Sequence, residues 1–275
     1  MSATTTRSQD ILDRLTEGIA ELTSSEAWRR WLDVQRRFYR YSFSNTLLIS
    51  RQRPDATRVA GFHAWRGMGR FVRAGEHGIA ILAPCVYRRQ GSDASVEADA
   101  ESEYERVLRG FKVVHVFDIA QTDGEELPEV ARRLDGSDGY GAFDRLRAVA
   151  ALVGYIVELD DLGSTNGNCN VARRRIRVHA CVSGDQAVKT LIHELAHAML
   201  HDDGAPRERA LAELEAESVA YIVCSEIGID SGSYSFGYLA GWGGGGEQAV
   251  AAIRGCGERI AGAAKRILAA VEETV

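Results

Sequence analysis

KTLIHELAHAMLH, Lys189 to His201, is an apolar run that carries two histidines four residues apart, with a glutamate directly after the first. At about 100° per residue, His193 and His197 fall one turn apart on a single helix face, so both imidazoles converge on one point where a metal ion fits. Glu194 lies beside that face. A carboxylate there reaches a water polarised by the metal rather than the metal itself, which is the position of a general base in metal-assisted hydrolysis. Histidines that merely make core hydrogen bonds are the plain alternative, and the intervening Leu195 and Ala196 and the apolar flanks weigh against it. Ser183, with Gln186 three residues later, reads as a capping box, so the helix is expected to begin at Gly184 and to continue through Met199.

A catalytic zinc takes a third protein ligand and leaves one position for water. After a break at Gly204 and Pro206, a second helix, ERALAELEAESVAYIVC from Glu208, carries Glu213, Glu215 and Glu217. Glu213 and Glu217 share a face, and Glu215 points roughly opposite. Solvated surface glutamates are the usual case. Leu211, Leu214, Ala216, Val219, Ala220 and Ile222 leave little room for that here. Glu213 is therefore expected to ligate, and Glu217 to fix a ligand histidine through its second N–H or to substitute as ligand. His201 is a weaker competitor, two turns beyond His193 where the helix should fray. His63, His77, His115 and His179 have no partners at ligand spacing and read as structural. The cofactor expected is one Zn2+ per chain.

The rest of the composition is globular, with 45% apolar and 26% charged residues and no apolar run near the roughly 20 residues of a membrane span. A soluble, cytoplasmic protein with no membrane partner is expected, since MSATTTRSQD lacks a basic start and apolar centre. Cys85, Cys169, Cys181, Cys224 and Cys256 are odd in number and form no CxxC pair, so they read as reduced thiols. The net charge of −6 conceals an asymmetry. From Trp28 to Arg89 there are 13 arginines, no lysine and three acids, a local balance of +10, which leaves about −16 for the remainder. A charge run is commonly a solvated face. An all-arginine block interleaved with Trp28, Trp31, Phe38, Tyr39, Tyr41, Phe43, Phe62, Trp65 and Phe71 has the ingredients for gripping phosphates and stacking bases.

The pattern along the chain predicts an α+β protein of two domains, residues 1–122 and 141–275, joined by a linker at 123–140. Helices are expected around Ile11 to Leu22, from Glu26 to Arg40 behind a Ser24 or Ser25 cap, and from Ser44 to before Pro54. GFKVVHVFDI reads as a strand of a small sheet, and GSDASVEADAESEYE before it as a solvated acidic excursion. The second domain is expected to be mostly helical: a helix in AFDRLRAVAALVGY, strands in YIVEL and VARRRIRVH with Val171, Ile176 and Val178 inward, and Gly163, Asn166 and Gly167 making the turn between them. GWGGGG reads as a flexible loop between helical segments.

HELAHAMLH followed by ELEAESVAYIVCSEIGID resembles the metallopeptidase half of ArdC-type antirestriction proteins and, more distantly, the ImmA/IrrE peptidases. RFYRYSFSNTLLISRQRPDATRVAGFHAWRGMGRFVRAGEHGIAILAP is similar to the ArdC-like N-terminal module that binds single-stranded DNA. The resemblance implies a DNA-holding module followed by a zincin-like peptidase fold with an unknown protein substrate. It also implies that the first acid of the ExxxE spacing, Glu213, ligates while Glu217 supports a histidine. It places Arg36, Arg37, Arg40, Arg51, Arg53, Arg66, Arg70 and Arg73 along phosphates, of single-stranded or else double-stranded DNA, with Tyr39, Tyr41, Phe43 and Trp65 as stacking candidates. Asn45 either caps its helix or touches a nucleotide. One departure is Ser235, where many relatives carry a histidine; Tyr234 or Tyr238 is the candidate replacement. A non-catalytic DNA-binding protein with structural zinc and a protease that cuts a repressor are the competing readings.

Overall fold

The computed structural model describes residues 3–89, 105–127, 139–182, 184–202, 204, 208–229 and 246–273. The acidic excursion, the Ser183 capping box, most of the expected linker, and the segment with Tyr234, Ser235, Tyr238 and GWGGG lie outside the described residues.

The chain opens with three helices, α1 (Ala3–Ala20), α2 (Ser25–Arg37) and α3 (Phe43–Gln52). Serine starts the second and third. The Ser24 hydroxyl accepts from the Ala27 N–H at 3.2 Å, and Ser42 does the same for Asn45 at 3.4 Å, satisfying amides that a helix start leaves bare. Ser42, not Asn45, is therefore the cap. The second helix stops three residues short of the expected Arg40, because Phe38 leaves helical dihedrals and packs edge-on against Tyr41.

β3 (Ile79–Arg89) and β4 (Glu105–Asp118) pair antiparallel from Ile79↔Val116 to Arg89↔Glu105, and β1 (Val59–Gly61) adds to the other side of β4. Alternation divides the sheet's faces: Ile79 and Ile81 enter a small core with Val34, Phe38 and Ile49, while Ala80 and Leu82 face the main core. The free edge of β3 is closed by side chains. Asn45 and Gln52, two turns apart on α3, each hold both backbone groups of one strand residue: the Asn45 carboxamide bonds Leu82 at 2.9 Å in each direction, and Gln52 bonds Ala80 at 2.8 and 2.9 Å. A short helix, α4 (Phe62–Gly67), and a ribbon of β2 (Arg70–Val72) with β5 (Thr122–Gly124) complete this part.

α5 (Gly139–Leu152) leads to a second sheet of order β6-β8-β7, built from β6 (Ile156–Asp160), β7 (Gly167–Asn170) and β8 (Arg175–His179). β6 runs parallel to β8, and β7 antiparallel. Ile176 and Val178 are fully buried, as their alternation predicts. Gly167 departs from its expected place in a turn: it opens β7 and pairs with Val178, while Val171 lies in the turn before β8. Among the described residues, α6 (Gly184–Leu200), α7 (Arg209–Glu226) and α8 (Gly246–Glu273) follow.

One buried cluster runs from Ile11 to Val271 and draws on both parts of the chain. α7 packs on α2, where the Trp28 indole N–H donates to the Ser218 hydroxyl at 3.0 Å and the Tyr221 hydroxyl to Asp33 at 2.5 Å. α8 crosses α3 at Gly257, where a Cβ would overlap the Phe43 ring. Among the described residues, no helix is long and apolar enough to cross a membrane.

Candidate metal centre and basic face

α6 and α7 pack side by side and bring together the donors expected of a metal site. His193 Nε2 lies 3.1 Å from His197 Nε2; Glu213 Oε2 lies 3.4 Å from the first and 3.7 Å from the second. Donors held at about 2.1 Å from one ion are themselves about 3–3.5 Å apart, so this triangle suits a single first-row divalent cation. The chemistry of the set, two imidazoles and one carboxylate, suits it as well. Both imidazoles are about four-fifths covered, whereas Glu213 is 49% exposed, so the triangle opens to solvent on the glutamate side.

Each remaining acid has its own partner. Glu217 Oε2 sits 3.2 Å from His193 Nδ1, the supporting position expected of it. Burial works against a proton on His193, but the Glu217 bond and the charges of Glu194 and Glu217 outweigh it and hold its pKa above the ordinary value. His197, buried between two other imidazoles, is pushed down to about 3 and is neutral, as a ligand must be. Glu194 is buried, and its carboxyl is pushed up to about 7, chiefly by burial and further by Glu213; the His193 charge and a bond from the Cys169 N–H pull the other way. That bond depends on how closely α6 lies on β7. A Cβ on Gly167 would overlap the Thr190 methyl and crowd Glu194, so only glycine admits the helix there.

Glu215 does not face solvent opposite the metal face. It is completely buried and receives Arg259 of α8 on one oxygen, with His201 Nε2 2.9 Å from the other; His201 Nδ1 in turn lies 2.9 Å from His197 Nδ1. The HxxxHxxxH spacing of residues 193, 197 and 201 was the signal available for His201. Arg259 left none. The five cysteines are free, and burial and the neighbouring Glu194 and Asp202 push the Cys169 thiol up to about 12.

The basic block is less open than its sequence suggests. Arg51 pairs with Glu17 and Glu21, Arg40 with Glu272, Arg36 with Asp33, Arg53 with Asp55, and Arg73 with Glu76 and Asp123. Arg37 donates to the Asp33 and Ala56 carbonyls, and Arg70 to Thr122 and backbone carbonyls. Arg66 is exposed with no ion-pair partner among the described residues. The expected stacking rings are largely enclosed: Trp65 and Phe43 are 0% exposed, the Trp65 N–H donates to the Phe117 carbonyl, and the Tyr41 hydroxyl to Val59. Trp65 and Phe43 are core residues in this fold, because their rings fill space between helices and sheets. Asn45 is occupied at the β3 edge and is not free to hold a nucleotide. Among the described residues, the exposed phenylalanine rings of this region are Phe62, Phe71 and Phe111.

Residues 3–117 match the family model of the N-terminal domain of the anti-restriction factor ArdC. The fold is similar to crystal structures of the antirestriction protein ArdC from plasmid R388. The metal-free structure gives a TM-score of 0.53 at 19% identity, with 84% of each chain covered. The Mn(II)-bound structure gives 0.51 at 20% identity, covering 83% of this chain and 81% of the other. The uncharacterized protein pXO2-81 of Bacillus anthracis is 23% identical over 85% of this chain, which spans 46% of that protein's length. Residues 3–117 thus carry the ArdC N-terminal family pattern, and the chain shares the ArdC fold along most of its length.

Proposed function

We propose that this chain is an antirestriction factor of the ArdC kind that holds single-stranded DNA through its N-terminal part and carries a metallopeptidase site in its C-terminal part. The observation that carries the reading is the His193, His197 and Glu213 triangle with Glu194 beside it. These three residues would hold one divalent ion, with zinc the first choice for the donor set; the similar fold solved with Mn(II) supports a divalent metal here. When bound, such an ion supplies Lewis-acid polarisation of a peptide carbonyl and of water. The chain's own groups do the rest. Glu217 fixes the His193 ring from its far nitrogen. Glu194, with a proton affinity near neutrality, accepts the proton of an attacking water and returns it to the leaving amine. The open side at Glu213 leaves access for substrate, which favours a catalytic over a purely structural ion.

Glu194→Gln tests this. The variant should keep its metal and its DNA affinity while peptide hydrolysis falls by about 10²–10⁴-fold, the scale of a lost general base. Undiminished hydrolysis would remove Glu194 from the mechanism, and unchanged protection of DNA without hydrolysis would favour the structural reading.

A further inference from the structure

We propose that Arg259, Glu215 and His201 form a fixed hydrogen-bond chain that positions His197 and dictates which of its nitrogens faces the metal. The proposal rests on the reading of His193, His197 and Glu213 as a metal site. It starts from a carboxylate with no access to water. Glu215 is 0% exposed, and a buried carboxylate requires partners for its charge and its lone pairs. Arg259 supplies them on Oε1, with its Nε at 2.9 Å and a second, short contact from Nη2. Oε2 lies 2.9 Å from His201 Nε2.

The direction of each bond follows from what each atom can do. A carboxylate paired with a guanidinium only accepts, so His201 Nε2 carries a proton. In a neutral imidazole the other nitrogen then accepts, and the atom offered to His201 Nδ1, at 2.9 Å, is His197 Nδ1. His197 Nδ1 therefore donates. Its Nε2, the atom 3.1 Å from His193 Nε2 and 3.7 Å from Glu213, is left with the lone pair that a metal needs. The two ligand histidines are thus supported differently: His193 by the partly exposed carboxylate of Glu217 directly, His197 by a buried carboxylate relayed through a second imidazole. Arg259 comes from α8, whose Gly257 lies under Phe43 of α3, so the far end of the chain is anchored in a helix crossing rather than on a loop. These residues touch neither substrate nor metal and are positioning residues.

The test is a titration of the metal-stripped, full-length protein with Co(II) alone, followed by its visible absorption and by competition with a chelator. Wild type, His201→Ala, His201→Asn and Glu215→Gln are compared, with circular dichroism recording the fold of each. Wild type should take one equivalent. His201→Ala should weaken Co(II) binding about 10–100-fold and shift the visible bands, because the His197 ring loses its fixed tautomer and orientation. Asparagine places an accepting oxygen near the His201 Nδ1 position, so His201→Asn should recover most of the affinity and the wild-type spectrum. Glu215→Gln should fall between. Wild-type affinity and spectrum in folded His201→Ala, or an asparagine variant no better than alanine, would overturn the chain while leaving the metal site standing. No Co(II) bound by wild type would instead overturn the site itself.

Discussion

Glu194 sits where burial dominates every other influence on its charge. Its carboxyl stays protonated up to about pH 7 in the fold, against an ordinary value of 4.5. In the metal-stripped protein this group therefore contributes stability in full below about pH 4.5, and that contribution is lost as the pH rises through 7. His193, whose pKa is also raised, acts in the same sense; His197, held down, acts in the opposite one. Replacing Glu194 with glutamine should flatten the loss and stabilise the metal-stripped protein at pH 8 by roughly 1–3 kcal/mol. Urea denaturation at pH 5 and pH 8 measures it, and an unchanged difference between the two pH values would count against this account of Glu194. The positions of His193, His197, Glu213 and Glu217 were legible in the sequence, because four-residue spacing on a helix fixes a shared face. Glu215 was not. Its direction is set by Arg259, 44 residues onward on another helix, and no local period reports that.

Elements are held to one another here by polar side chains at least as specifically as by apolar contact. Asn45 and Gln52 act as a surrogate strand along β3, each satisfying a donor and an acceptor that an edge would leave bare. Asn45→Ala should cost about 1–3 kcal/mol, and Gln52→Ala a similar amount, because backbone groups of Leu82 or Ala80 lose their partners. Chemical denaturation checks this; a loss below about 0.5 kcal/mol would mean that water substitutes freely. The helix starts at Ser24 and near residue 43 could be read from capping chemistry and apolar spacing. β7 could not. Gly-Asn-Cys-Asn has no apolar alternation, and its strand character comes from backbone pairing with β8 and from the room that Gly167 gives α6. Trp65 and Phe43 read as stacking rings for a related reason: sequence shows an aromatic among arginines, not which side of the sheet it fills.

Over the whole molecule the acids lost from the arginine block return to it through the fold. Glu17 comes from α1 and Glu21 from the turn after it, Asp123 from β5, and Glu272 from the end of α8. These pairs are largely exposed, and such pairs contribute only about 0–1 kcal/mol, so a phosphate can displace them. If DNA is held there, log affinity for a single strand should fall with log salt at about −0.7 per phosphate, hence more steeply than about −2 for three contacts. Arg66→Ala, at an arginine with no such partner among the described residues, should reduce the slope by about 0.7, whereas a flat salt response would contradict phosphate contact. The same connectedness bears on the proposed metal site, since α7 carries Glu213 and packs on α2. The most direct measurement of the central claim is the metal content of the purified protein set beside that of His193→Ala and Glu213→Ala. One equivalent of divalent metal in wild type and a loss of most of it in both variants is the predicted result; a full equivalent retained by both folded variants would contradict the site.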